Sequence, residues 1–160
     1  MARVHSLSFS QSPYKIRPTY RQYERKRLGG HGESLRGLAY MFRQSFMAPT
    51  FARFWQQWNP LFSYYLLYFC YLPLRPLVKR GPAVVLTFAA TGAVHDLAAS
   101  LAWRELVFIC TPLFALFGGY LLVEAKLGWH LGGWPGWLRP AYHLLLMAGW
   151  YGLVSWWLKS

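Results

Sequence analysis

Three apolar stretches dominate the second half of the chain: residues 83–103, 106–127 and 141–158, which are 21, 22 and 18 residues long. At about 1.5 Å of rise per residue, helices of these lengths reach roughly 27–33 Å, close to the thickness of a bilayer's hydrocarbon core. Pro82 and the run "GGWPGWLRP" separate them, and the tryptophans of that run suit a membrane–water interface. Hydrophobic residues make up 55% of the 160 residues and aromatics 19%, more apolar surface than a soluble domain of this length can cover. The expected fold class is therefore an all-α integral membrane protein.

Charge then orients the chain. Lys and Arg number 17 against five acids, a net charge of +12. Ten of the bases precede Asn59, where the only acids are Glu24 and Glu33. Residues 1–33 read as a basic, flexible cytosolic arm that meets anionic headgroups, and residues 34–160 as the helical membrane domain. No zinc-finger or RNA-binding motif supports a nucleic-acid partner, and the first 30 residues hold no apolar run of the kind a secretory signal needs. Ser34 is placed to cap a helix whose Leu35, Leu38, Phe42 and Phe46 share one face while Arg36 and Arg43 share another, the pattern of an interfacial helix that Pro49 then ends.

A fourth apolar run, residues 61–78, contains Pro73, Arg75 and Pro76. If it spans, the basic residues divide 12 inside and 5 outside; if it lies in the interface or dips in and returns, they divide 15 and 2. The positive-inside rule favours the second arrangement: three spanning helices plus an interfacial or re-entrant segment, multi-pass, with the arm cytoplasmic. Cys70 and Cys110 lie 40 residues apart in apolar surroundings and read as small core residues.

Within the first spanning segment, "TFAATGAVHDLAAS" carries His95 and Asp96 near its middle. An ionisable group at that depth costs about 2.5–3.5 kcal/mol on insertion scales. Thr87, Thr91 and Gly92 fall on the face of His95, making it small and polar. A histidine simply hydrogen-bonded to a neighbouring helix accounts for the same residues. Asp96 points about 100° away on the helix and is expected to pair with Arg75, Lys79 or Arg104, or to accept a bond from another helix. His5, His31, His130 and His143 show no metal-ligand spacing; His143 reads as a helix–helix contact, and Glu124 has no obvious partner. Upstream, "RFWQQWNP" places Trp55, Trp58 and Asn59 before the ambiguous run, where two interface anchors and a turn residue before Pro60 also fit.

Taken in order, "FWQQWNP", "YFCYLPLRPLVKRG" and "TFAATGAVHD" resemble the membrane-bound O-acyltransferase family, closest to its sterol and diacylglycerol acyltransferase branch. That branch carries an F-x-x-x-W-N element followed by a membrane-buried histidine. The resemblance runs from about Phe54 to the end of the chain, with Asn59 and His95 in the two polar positions, 36 apart. It implies transfer of an acyl group from a thioester such as acyl-CoA, a co-substrate rather than a bound cofactor, to a hydroxyl of a lipid or small alcohol. His95 would be the general base and Asn59 would position the reacting groups. Trp55, Trp58 and Thr91 would contact substrate, and Arg75, Lys79 and Arg80 would meet the donor's phosphates; positive-inside anchoring explains those three bases equally well. No metal is implied. The chain departs from the family in having fewer spanning helices and in placing Asp96, not Glu, after the histidine. The first departure implies a homo-oligomer or a partner membrane subunit, and leaves open a non-catalytic subunit derived from the family or a pore in which His95 and Asp96 line a solute path.

Overall fold

In a computed structural model that describes residues 17–32 and 34–160, the chain is helical and, among the described residues, contains no strand. Helix α1 (Tyr20–Arg27) begins at Thr19 with a capping box: Thr19 Oγ1 accepts from the Gln22 N–H and Gln22 Oε1 accepts from the Thr19 N–H. This helix falls inside the stretch read as a flexible arm. Its ordering is tertiary as well as local. Tyr20 and Tyr23 pack edge-on against Tyr64, at 5.8 and 5.4 Å between centroids. The Arg17 guanidinium lies over the rings of Tyr64, Tyr68 and Phe69, and its Nε donates to the Tyr64 hydroxyl. Residues 1–16 and Glu33 of the expected arm lie outside the described residues.

Helix α2 (Leu35–Phe46) starts where the sequence places it, with Ser34 Oγ accepting from the Gly37 N–H at 3.1 Å. Leu35, Leu38 and Phe42 remain exposed along one side. The short connector after it enters the core, where irregular backbone needs partners for every polar group. Three successive carbonyls find them: Met47 accepts from Arg139 Nη1 at 3.1 Å, Ala48 from His143 Nε2 at 3.0 Å, and Pro49 from the Leu131 N–H at 2.7 Å. The next orphan donors begin helix α3 (Phe51–Gln57). The Phe51 and Ala52 N–H groups donate to the two oxygens of Glu124 at 2.7 and 2.9 Å. Glu124 thus has a partner that its sequence position hides, a helix N-terminus whose partial positive charge suits a carboxylate. His143 is fully buried; its Nε2 bonds the connector carbonyl of Ala48, and its ring packs on Phe51 and Phe54 of α3. So anchored, α3 carries Phe51 and Phe54 into a core shared with Ala48, Leu113, Phe117 and Val154.

Residues 60–74 form one helical rod. It starts as α4 (Pro60–Tyr65), widens into a π-helix over Leu66–Tyr71 in which the Leu72 N–H reaches back to the Leu67 carbonyl, and closes in the turn α5 (Leu72–Leu74). Pro73 has no N–H to offer the regular ladder, which fits a widened turn just before it. At about 1.5 Å per residue the rod is roughly 22 Å long, short of a bilayer crossing.

Helices α6 (Arg80–Trp103) and α7 (Cys110–Leu127) are the two that are long and apolar enough to cross a membrane. Only 22% of the apolar window of each is buried, so much of their apolar surface faces outward, with Leu97 and Leu101 among the exposed residues. That surface is compatible with a membrane protein. The third expected span falls on helix α8 (Leu138–Trp157), which carries tryptophans, tyrosines, glycines and His143 and is not among the helices long and apolar enough to cross a membrane. The second expected span starts four residues later than its apolar pattern suggests, because Ser100 Oγ takes the Val107 N–H and Asp96 takes the N–H groups of Ile109, Cys110 and Thr111.

Two glycines set the α6–α7 distance. A Cβ at Gly92 would lie 2.3 Å from the Cys110 carbonyl oxygen and 2.6 Å from the Thr111 Cα, and one at Gly118 would lie 2.9 Å from the Val85 Cα. These neighbours are backbone atoms, so the helices must separate to admit a methyl group. Gly92→Ala is expected to destabilise the protein by about 1–3 kcal/mol, whereas Gly119→Ala, facing open space, leaves it unchanged. Thermal melting in detergent followed by tryptophan fluorescence reads both; equal melting temperatures would show that the hairpin tolerates a wider crossing.

Candidate functional site

A cavity of about 340 Å³ lies among α1, α3, α4, the π-helix, α6 and α7. That volume falls at the lower end of the range of small-molecule sites. It is lined by Trp55, Trp58, Asn59, Thr91 and His95, so five of the residues singled out from sequence converge on one space.

His95 reaches it through a relay of side-chain bonds along one face of α6. Thr87 Oγ1 donates to the Ala83 carbonyl at 2.7 Å, Thr91 Oγ1 to the Thr87 carbonyl at 3.0 Å, and His95 Nδ1 meets the Thr91 carbonyl at 2.8 Å. A carbonyl can only accept, so the proton sits on Nδ1 and, in the neutral ring, Nε2 keeps its lone pair. The ring is exposed, stacks on Phe114 with centroids 5.3 Å apart and lies tilted against Phe62 at 5.7 Å. Spacing by four thus satisfies each polar group at the helix surface and leaves one basic nitrogen unspent.

Asn59 occupies the junction between α3 and α4 with φ 43° and ψ 82°, a left-handed conformation that asparagine tolerates better than most residues. Its Oδ1 accepts from the Phe62 N–H at 3.2 Å, capping α4 just ahead of Pro60. The turn role suggested by the following proline is therefore real, and the carboxamide keeps Nδ2 for a ligand. Trp55 packs among Phe88, Phe114 and Phe117, and Trp58 among Phe42, Phe46 and Phe54. Both are core residues with one side on the cavity.

Asp96, the neighbour of His95, does something else. It is 5% exposed and accepts four hydrogen bonds from the start of α7: the N–H groups of Ile109, Cys110 and Thr111 at 3.1, 2.7 and 2.7 Å, and the Thr111 hydroxyl at 2.6 Å. Of the two expected roles, a pairing with Arg75, Lys79 or Arg104 and a bond accepted from another helix, the second is the one found, because a helix N-terminus offers several aligned donors at a fixed place.

Arg75, Lys79 and Arg80 do not line the cavity. Arg75 Nη1 donates to the Val78 carbonyl at 3.1 Å and closes the turn into α6, while Lys79 and Arg80 are exposed at the start of that helix. The cavity's base is instead Arg27, from α1, with Tyr23 beside it; Thr87, Ser63 and Tyr71 also contribute to the wall. The sequence signal for Arg27 is the T-x-x-Q capping box at Thr19, which announces a helix and so a fixed position for its side chains. Among the described residues, no three of His, Cys, Asp or Glu gather where a metal could be held. Comparison with protein-family models, curated proteins and solved structures gives no match.

Proposed function

We propose that this chain is a membrane-embedded O-acyltransferase that moves an acyl group from a thioester to a hydroxyl of a lipid or small alcohol. The observation that carries the reading is one apolar cavity lined by both Asn59 and His95, with the imidazole held through Nδ1 at the Thr91 carbonyl and with His95 Nε2 and Asn59 Nδ2 making no hydrogen bond among the described residues. In the reaction, the alcohol O–H gives its proton to Nε2 as the oxygen attacks the thioester carbonyl. The C–O bond forms, the C–S bond breaks, and the imidazolium returns the proton to the departing thiolate. Asn59 Nδ2 donates to the carbonyl oxygen as it gains charge. The aromatic wall of Trp55, Phe88 and Phe114 keeps water from competing for the acyl group.

In this reading α6, α7 and α8 cross the bilayer, residues 61–78 lie in the interface or dip in and return, and the N-terminal arm is cytoplasmic. The exposure of His95 leaves one side of the cavity unsealed, and a second copy or a partner membrane subunit closes it. That open side equally suits a non-catalytic subunit that presents a ligand to a larger enzyme. Purified protein in liposomes, supplied with palmitoyl-CoA and a set of alcohols spanning diacylglycerol, sterol and short alkanols, is expected to yield an ester. Absence of ester from every alcohol, together with co-purification of a fixed partner that supplies the activity, selects the subunit instead.

A further inference from the structure

Among the described residues lining the cavity, Arg27 carries the one permanent charge, and no carboxylate faces it there. Its guanidinium lies 5.2 Å from the centroid of the Tyr23 ring, itself held edge-on by Tyr64. The group therefore stands on a fixed aromatic platform. Arg27 is half-buried, yet no hydrogen bond or ion pair engages it among the described residues. Three residues earlier, buried Glu24 makes no ion pair with Arg27 among the described residues, and its Oε1 has no hydrogen-bond partner there. Other arginines that pack against the fold spend their donors on it: Arg17 on the Tyr64 hydroxyl, Arg75 on the Val78 carbonyl, Arg139 on the Met47 and Gly132 carbonyls. An unspent guanidinium in the wall of an apolar cavity is suited to bind an anion through paired N–H groups.

We propose that Arg27 is the anion-recognition residue of this cavity and that the ligand is a single-chain amphiphile with a phosphate-bearing head. The chain lies against Trp55, Phe88, Phe114, Leu66 and Leu67, and the phosphate meets Arg27. This rests on the acyl-transfer reading in one respect: if the acyl carbonyl is the reacting group beside His95, the anion at Arg27 belongs to a different part of the molecule. That excludes a free fatty acid, whose charge sits on the acyl carbon itself. A phosphate remote from an acyl ester or thioester occurs in lysophospholipids and in acyl thioesters of nucleotides.

The test is equilibrium binding to the full-length protein in detergent, followed by quenching of its tryptophans. Three probes of equal chain length are compared: a lysophosphatidic acid, an acyl-CoA and an uncharged monoacylglycerol. At least one phosphate probe is expected to bind about tenfold more tightly than the monoacylglycerol. R27Q removes that preference, R27K keeps the charge but loses the paired geometry and weakens it severalfold, and R25Q, at an exposed position off the cavity, leaves it intact. The probe whose affinity falls identifies the source of the phosphate, lipid or nucleotide. Equal affinity for charged and uncharged probes in the natural protein overturns the proposal, as does a preference that survives R27Q. If R27Q does not fold, unchanged binding by R27K overturns it. Loss of the transferase reading registers in turnover by the natural protein, whereas loss of the Arg27 reading registers in the binding of the natural protein and R27Q.

Discussion

His95→Ala is expected to lower acyl transfer by about 10²- to 10⁴-fold at neutral pH, the range over which a positioned general base contributes. The protein itself should express and melt like its parent. The side chain bonds only to a carbonyl four residues back on its own helix, and its ring is exposed with contacts to Phe62 and Phe114. Removing it costs the fold little, since the Thr91 carbonyl remains within the helix. The measurement is ester formation by purified variant and parent at matched concentration. Equal rates would remove His95 from the chemistry and leave the cavity as a binding site.

One residue further on, the expected result reverses. Asp96→Ala removes the acceptor for three backbone N–H groups and a hydroxyl at the start of α7. Each buried donor left unpaired costs about 1–3 kcal/mol, and the helix N-terminus also loses its compensating negative charge. Some relaxation is available, so a loss of about 3–5 kcal/mol is expected, or about 10 °C in melting temperature for a chain of this size. Asp96→Asn keeps an acceptor but loses the charge, and falls between. Melting temperatures within a degree of the parent would mean that water or another group replaces the cap. The contrast between neighbours is the informative part: His95 should fail in activity with the fold intact, and Asp96 should fail in the fold.

Much of this architecture was legible in the chain because it rests on periods and local chemistry. The long apolar segments of α6, α7 and α8, the Ser34 cap of α2 and the end of α2 before Pro49 all follow from residues within a few positions of one another. The spacing by four of Thr87, Thr91 and His95 already put these groups on one face of a helix. Helix α1 was legible too, through its T-x-x-Q capping box, but its polar composition outweighed that signal in the reading of residues 1–33 as an arm.

Other features had no local trace. Glu124 caps a helix that starts 73 residues earlier, and His143 bonds a carbonyl 95 residues away. Neither distance has any periodicity. The basic residue of the cavity illustrates the same limit. Arg75, Lys79 and Arg80 sit nearer to His95 in sequence than Arg27 does, yet the packing of α1 on Tyr64 brings Arg27 to the cavity.

The amino-acid order alone therefore determined that the chain is helical, how long its apolar helices are, and that a histidine with two threonines shares one of their faces, since each depends on propensity and repeat along a single helix. Only the tertiary structure decided which groups meet. It turned Asp96 and Glu124 into caps on distant helices, set Asn59 and His95 around one cavity, and placed Arg27 there, because buried backbone N–H groups take the nearest acceptor in space.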